Sequence, residues 1–237
     1  MRLWNGWGNE DSDLTMELSD GLRALLEALV GPGTALSQAT LNEVIAKVPN
    51  SRLGDHPLIK TEPEIRVRHA RGQSLPDWLE MHSGNVDTFP DGVAFPESSE
   101  QVRELLAHAK ENNLIVIPYG GGTSVVGHIN PETSDKPVLT IDMAKMNSML
   151  SIDTESQLAT FGAGAPGPVV EEELKKHGYT LGHFPQSWEL STLGGWVASR
   201  SSGQQSLHYG RIENMFAGGT IETLNGTMTI PTIPASS

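Results

Sequence analysis

Leu114-Ile115-Val116-Ile117-Pro118-Tyr119-Gly120-Gly121-Gly122, continued by Thr123-Ser124, limits what this chain can become more than any other stretch. Four apolar residues, three of them β-branched, read as a buried strand. Pro118 lacks a backbone donor, so regular pairing is expected to end there. Three glycines then free the backbone to turn its amides toward one point, and converging amides make an anion nest. Thr123 and Ser124 add two hydroxyl donors at the same mouth. Two readings stay open on these residues alone: a pyrophosphate loop, or a glycine-rich turn after a strand.

Charge narrows the choice of ligand. The chain of 237 residues carries 29 Asp and Glu against 16 Lys and Arg, for a net charge of -13. Nucleic acid needs a basic face, and so does an anionic membrane surface. Local donors must therefore hold any anion. The sequence has no cysteine, which removes disulfides, thiolate metal sites and a Cys nucleophile. No apolar run has the length of a membrane span, and the first residues lack a secretory h-region. A cytoplasmic protein acting on a small or lipid-like molecule is the expectation.

The chain divides at about residue 85. In the first part Trp4 and Trp7 sit in a Gly-rich arm, read either as packed on the protein or as a frayed tail. A helix is predicted from Ser19-Asp20 to Gly31, with Leu22, Leu25, Leu26 and Leu29 as a core face. A second starts at Thr40, whose spacing to Glu43 suits a capping box. Residues 50–85 are polar and broken by prolines. Arg66, Arg68, Arg71, His56 and His69 there read first as a solvated linker and second as an anion contact. Asp77 to Met81 reads as one helical turn.

From Val86 the pattern is strand, helix from Ser98, then the organising strand, as in a βαβ crossover. Strands are expected at Pro137–Asp142 and in a hairpin around Asp153–Ser156. A helix follows from Pro168, ending at Gly178, with Glu171 to Glu173 suited to its dipole. Met215 to Leu224 reads as a strand, and the Pro/Ser tail after it looks like a fold cut short.

Several site classes fail. No Gly-Lys-Ser/Thr follows Gly122, and no helix opens on the glycines as a dinucleotide fingerprint requires. There is no His-Glu-x-x-His, EF-hand loop or Gly-x-Ser-x-Gly elbow. What survives is Pro118 to Ser124, about sixty residues of strands and one helix, and then Ser191-Thr192-Leu193-Gly194-Gly195-Trp196.

With Trp4-Asn5-Gly6-Trp7-Gly8, Gly178-Tyr179, Gly182-His183, Pro185 to Trp196, Ser199 to Gly203 and Tyr209-Gly210, that combination resembles the flavoproteins of the vanillyl-alcohol-oxidase type. Within them it looks closest to the alkyldihydroxyacetonephosphate synthase group and its bacterial relatives. The resemblance implies an α+β FAD-binding domain of two small α/β subdomains, the type named after p-cresol methylhydroxylase, over residues 86–237. A helical segment, residues 1–85, precedes it. It implies non-covalent FAD, with Pro118, Tyr119, Gly120, Gly121, Gly122, Thr123 and Ser124 around the pyrophosphate. Gln186, Ser187, Trp188, Glu189, Leu190, Ser191 and Thr192 would be a second FAD segment, and Ser199, Arg200, Ser201 and Ser202 a third.

Two departures stand out: Gln186 replaces an Asp of the group's pattern, which changes the charge beside the flavin, and Leu190 replaces a Phe. His128 reads as a loop histidine. In that group the flavin forms an adduct with acyl-dihydroxyacetone phosphate while an alkyl chain replaces the acyl chain. Relatives oxidise 2-hydroxy acids, and a non-catalytic FAD-binding fragment is the third alternative. Cap domain and catalytic residues would lie beyond residue 237, so no catalytic residue is assigned. A homodimer is a candidate assembly.

Overall fold

Ser19 accepts the Leu22 amide and starts α1 (Asp20–Val30) where the sequence predicts it. The computed structural model describes residues 2–11 and 18–232. The leucine face of α1 corrects the expectation of a core: exposure runs from 38% at Leu22 to 70% at Leu29. Periodicity shows that a helix has an apolar side, and the packing of other elements decides whether that side is covered. None of the described residues buries this one. In α2 (Leu41–Ile45) the Thr40–Glu43 capping box forms, and Val44 is fully buried.

The expectation of a linker over residues 50–85 is overturned. β1 (Ile59–Lys60), α3 (Pro63–Arg68) and α4 (Leu75–Ser83) form there, α4 being a nine-residue helix rather than one turn. Val67, Ala70 and Met81 join Val44, Val86 and Phe89 in one core, with Trp4 packed against it. Arg66 is buried and donates to the carbonyls of Pro90 at 2.6 Å and Pro49 at 2.7 Å. Arg71 is buried between Glu80, Asp87 and the Thr88 carbonyl. These guanidinia satisfy backbone carbonyls and carboxylates, so they are not an anion contact. Composition misled because the acceptors that satisfy Arg66 and Arg71 come from other parts of the sequence.

β2 (Gly92–Ala94), α5 (Ser99–Glu111) and β3 (Ile115–Tyr119) give the expected crossover, and β4 (Val138–Asp142) inserts between the two strands. The sheet order is β1-β2-β4-β3. β4 runs parallel to both neighbours, and β1 is antiparallel to β2. All five residues of β4 are buried, as a central strand covered on both faces requires. Pairing continues through Pro118↔Ile141 and Tyr119↔Asp142, which corrects the expected stop at Pro118. β3 is an edge strand, where a missing amide donor is tolerated.

β5 (Met149–Asp153) and β6 (Leu158–Phe161) make the predicted hairpin, followed by α6 (Gly167–Lys175). α7 (Leu193–Ser199), α8 (Ser206–Tyr209) and α9 (Ile212–Met215) precede the hairpin of β7 (Gly219–Thr223) and β8 (Gly226–Ile230). The strand expected from Met215 to Leu224 is thus shortened. The Arg211 amide donates to the Asn214 side chain and closes a helical turn first, and Gly218-Gly219 then starts the strand. The expected Pro/Ser tail lies outside the described residues from 233 onward.

Asp91 joins the two sides of this core. It accepts Nε and Nη2 of Arg52 at 2.8 and 2.7 Å, and the Val138 amide at 2.8 Å. Burial pushes its carboxyl up, but the Arg52 bonds and the two backbone amides outweigh it and hold the group below the usual carboxylate range. A native value below the unfolded one means that the ionised form stabilises the fold. That stability is fully present above about pH 4–5 and drains as pH falls through the folded value, below about pH 4. Asp91→Asn should therefore lower the thermal midpoint at neutral pH, and the gap to wild type should close in acid. A gap independent of pH would contradict this.

Candidate functional site

β3 delivers the chain into Gly120–Gly122 at the sheet's C-terminal edge, beside Asp142 at the end of β4. Below the loop, Tyr119 and Asp142 are buried with His69 of the α3–α4 connection. The His69 ring lies 4.6 Å from the Tyr119 ring, Nδ1 is 2.7 Å from the Ile65 carbonyl, and Nε2 is 3.0 Å from Asp142 Oδ2. Both ring nitrogens thus face oxygen acceptors. Tyr119 lies so close to Gly122, which has φ of +64°, that any side chain at Gly122 would overlap its hydroxyl. Burial drives the Tyr119 hydroxyl up to about 12, so it stays protonated.

The far end of the loop is tied to the region read as linker. The Ser124 carbonyl accepts the Gln73 amide at 2.6 Å. Asn130 accepts the Gly72 amide and donates to Asp77 at 2.6 Å. Asp77 also accepts Ser74, closing the capping box of α4. Ser124 Oγ is 3.2 Å from His128 Nδ1, on the exposed side, consistent with a loop histidine.

Seventy residues on, the second predicted segment meets the loop backbone to backbone. A side chain at Gly120 would run into Thr192 Oγ1, and one at Gly121 into the Leu190 carbonyl. Thr192 Oγ1 accepts the Gly195 amide and caps α7, while the Thr192 backbone bridges to Pro166. Residues 193–199 are thus a helix. Gly194 lets it pack on Ala163, with its amide donating to the Ala163 carbonyl at 2.8 Å. Ser191 Oγ accepts Nε1 of buried Trp196 at 2.7 Å.

Trp196 leads on to the third segment. Its ring lies 5.1 Å from that of buried His183, whose Nε2 is 2.8 Å from Ser201 Oγ. Burial pulls His183 below the usual histidine range, so it is neutral at physiological pH. The loop carrying His183 is pinned by Glu171, which accepts the amides of Leu181 and Gly182 at 3.0 and 3.1 Å. That is a role beyond the dipole pattern that the sequence suggests. Ser199 bonds back to the Gly195 carbonyl, and Arg200, at φ of +52°, pairs with Glu213. Those two side chains are engaged within the protein and exposed, and Ser202 is exposed beside them.

A cleft of about 530 Å³ opens between Trp7, Phe184, Gln186, Trp188, Glu189 and Gln205. Gln186 and Glu189 are exposed there, and Ser187 anchors the turn by accepting the Leu190 and Ser191 amides. A separate hollow of about 360 Å³ at Leu53–Thr61 holds His56 but none of the residues expected around FAD. Sequence reasoning left out His183, Asn130, Glu171 and Arg2, whose guanidinium donates to the Gly121 carbonyl. His183 stood inside a stretch already marked as informative and Glu171 only in a helix-dipole pattern, while nothing in the sequence flagged Asn130 or Arg2.

These residues fit a bound flavin dinucleotide. Each glycine of the loop is closed against protein atoms that a side chain would strike, Thr192, Leu190 and Tyr119, and elsewhere in the predicted segments two ring nitrogens, His183 Nδ1 and Trp188 Nε1, are buried without a partner among the described residues. Buried donors left unpaired are the places a polar ligand atom satisfies. No cluster of metal-ligating side chains and no helix long and apolar enough to cross a membrane occurs among the described residues.

Residues 90–230 match the family model described as FAD binding domain, more than half of the chain, and the protein belongs to that family, with FAD as its cofactor. It is 40% identical over 175 residues to alkyldihydroxyacetonephosphate synthase of Dictyostelium discoideum, covering 71% of this chain and 29% of that protein. The Caenorhabditis elegans synthase is 32% identical over 244 residues, covering 90% and 40%. A solved alkyldihydroxyacetonephosphate synthase superposes with a TM-score of 0.85 at 31% identity, over 98% of this chain and 48% of that one. The chain thus spans about half of the solved synthase and less of these curated relatives. The mixed α+β architecture and its small sheets are those of such FAD-binding domains.

Proposed function

We propose that this chain is the FAD-holding part of an enzyme acting as alkyldihydroxyacetonephosphate synthase does, replacing the acyl group of an acyl-dihydroxyacetone phosphate with an alkyl group. The observation that carries the FAD site is the seating of Gly120 and Gly121 on Leu190–Thr192. The synthase reading is supported by similarity along 98% of the chain.

In this reading Gly120, Gly121 and Gly122 present amides to the pyrophosphate, and Thr123 and Ser124 add hydroxyls. Pro118 and Tyr119 set the loop's entry. Gln186 to Thr192 form the facing wall, where Leu190 and Thr192 hold the backbone and Trp188 offers its indole N–H. Ser199 to Ser202 contribute chiefly through backbone and through the Ser201–His183 contact. Neutral His183 can donate or accept one hydrogen bond without adding charge beside the ring. Bound flavin supplies the electron-accepting ring, and the protein supplies position and electrostatics. The division at residue 85 separates a supporting N-terminal part from this domain, although β1 pairs with β2 across it. A cytoplasmic setting and a lipid-like substrate complete the reading.

Purified protein should be yellow, or turn yellow on adding FAD, with the flavin absorbance surviving desalting. A colourless protein that quenches no FAD fluorescence would sink the cofactor site. In the full enzyme, turnover of acyl-dihydroxyacetone phosphate with a fatty alcohol supports the synthase reading, and turnover of a 2-hydroxy acid alone overturns it.

A further inference from the structure

The N-terminal strap, residues 2–10, touches the glycine loop from outside. An antiparallel bridge between Arg2 and Asn9 and the Leu3 amide bonded to the Gly8 carbonyl at 2.9 Å fold it into a closed turn. Gly8, at φ of +100°, makes that turn possible. Trp4 is packed against the Val44–Phe89 core, and Trp7 lines the cleft that holds Gln186 and Trp188. Arg68 fixes the strap's base by donating to the Arg2 carbonyl at 2.9 Å, and is itself held by Glu64 at 2.9 Å. From that base the Arg2 side chain reaches the Gly121 carbonyl.

This contact has a chemical consequence. When consecutive amides turn inward to make an anion nest, the carbonyls between them turn outward and need donors. Arg2 supplies one at the central glycine. It also brings a permanent positive charge to the loop in a chain whose net charge is -13.

We propose that residues 2–10 are a clasp that locks the glycine loop with its amides inward, with Arg2 as the positioning residue that sets affinity for a ligand's pyrophosphate. The inference rests on the FAD reading, but it makes a claim that holds without flavin. Removing the guanidinium unpairs the Gly121 carbonyl and releases the loop, whether or not a ligand is present.

The experiment compares wild type, Arg2→Ala and Arg2→Lys in two measurements. In flavin-free protein, amide hydrogen exchange at Gly120–Ser124 should speed up in Arg2→Ala and stay near wild type elsewhere. In titrations, FAD affinity should fall by about tenfold or more in Arg2→Ala, as expected for losing a charge-assisted hydrogen bond. Arg2→Lys should recover part of it. Riboflavin, which has no phosphate, should bind wild type and Arg2→Ala alike. Unchanged exchange with unchanged FAD affinity would overturn the clasp, and so would equal losses for FAD and riboflavin. Wild type that binds no FAD would sink the cofactor site instead, and the exchange result alone would then decide the clasp.

Discussion

Gly121→Ala is expected to strip the protein of flavin. The added methyl would occupy the space of the Leu190 carbonyl and crowd the Ser191 Cα, neither of which can rotate away. The loop and the facing segment must separate, and the two walls of the cradle part together. Overpacking of this kind costs about 1–3 kcal/mol in stability, occasionally more. On the proposed FAD site, the loss of binding should be larger than that cost alone suggests, because the amides proposed to face the pyrophosphate shift together. At least about a hundredfold weaker FAD binding is expected if, as proposed, two or more loop amides hold the pyrophosphate and are disturbed together. Gly127→Ala is the control: it lies in the same loop, at φ of +74°, and a Cβ there meets only the Asn130 side chain at 3.6 Å. It should cost stability through its backbone angle and leave FAD affinity closer to wild type. Fluorescence quenching titrations of both variants test this. A Gly121→Ala protein that copurifies with stoichiometric flavin would refute the assignment of this loop.

Arg66→Ala is expected to destabilise the fold by about 2–5 kcal/mol, since leaving the buried Pro90 carbonyl unpaired costs about 1–3 kcal/mol and truncation of a buried side chain adds a void. The side chain is 2% exposed and its two bonds tie the end of α2's loop at Pro49 to Pro90 before β2. Burial pulls its guanidinium below the usual arginine range. Urea unfolding of the two proteins reads the difference directly. A change within about half a kcal/mol, the norm for a solvated surface residue, would restore the linker reading of residues 50–85. Arg66→Lys should recover little, because one ammonium cannot span both carbonyls in the arginine's geometry.

Local chemistry made much of this protein legible in its sequence. Ser19, Thr40 and Ser98 start helices because their side-chain oxygens accept amides three residues on, within one turn. The hairpin at Asp153–Ser156, the crossover around α5 and the strand into Gly120 follow from periodicity and turn residues in short windows. The flavin-binding class was readable because the glycine loop and the Ser191–Trp196 stretch, each weak alone, occur together in one order.

What the sequence misjudged depends on partners far away along the chain. Arg66, Arg71 and His69 look like a polar linker, and become core only because Pro90, Thr88 and Asp142 supply acceptors. Leu25 and Leu29 look like core, and stay exposed because none of the described residues covers them. Pro118 looks like a strand end, and remains paired because tertiary order puts β3 at an edge.

By itself, then, the sequence determined where α1, α2 and α5 begin and held the two stretches on which the FAD-binding resemblance chiefly rests, since both depend on neighbours within a few residues. Only the tertiary structure decided that Gly121 rests on the Leu190 backbone, that Arg2 reaches the Gly121 carbonyl and that His69 packs on Tyr119 and Asp142 beneath the loop. Burial and hydrogen-bond pairing are properties of what the whole chain brings together, and no local window contains them.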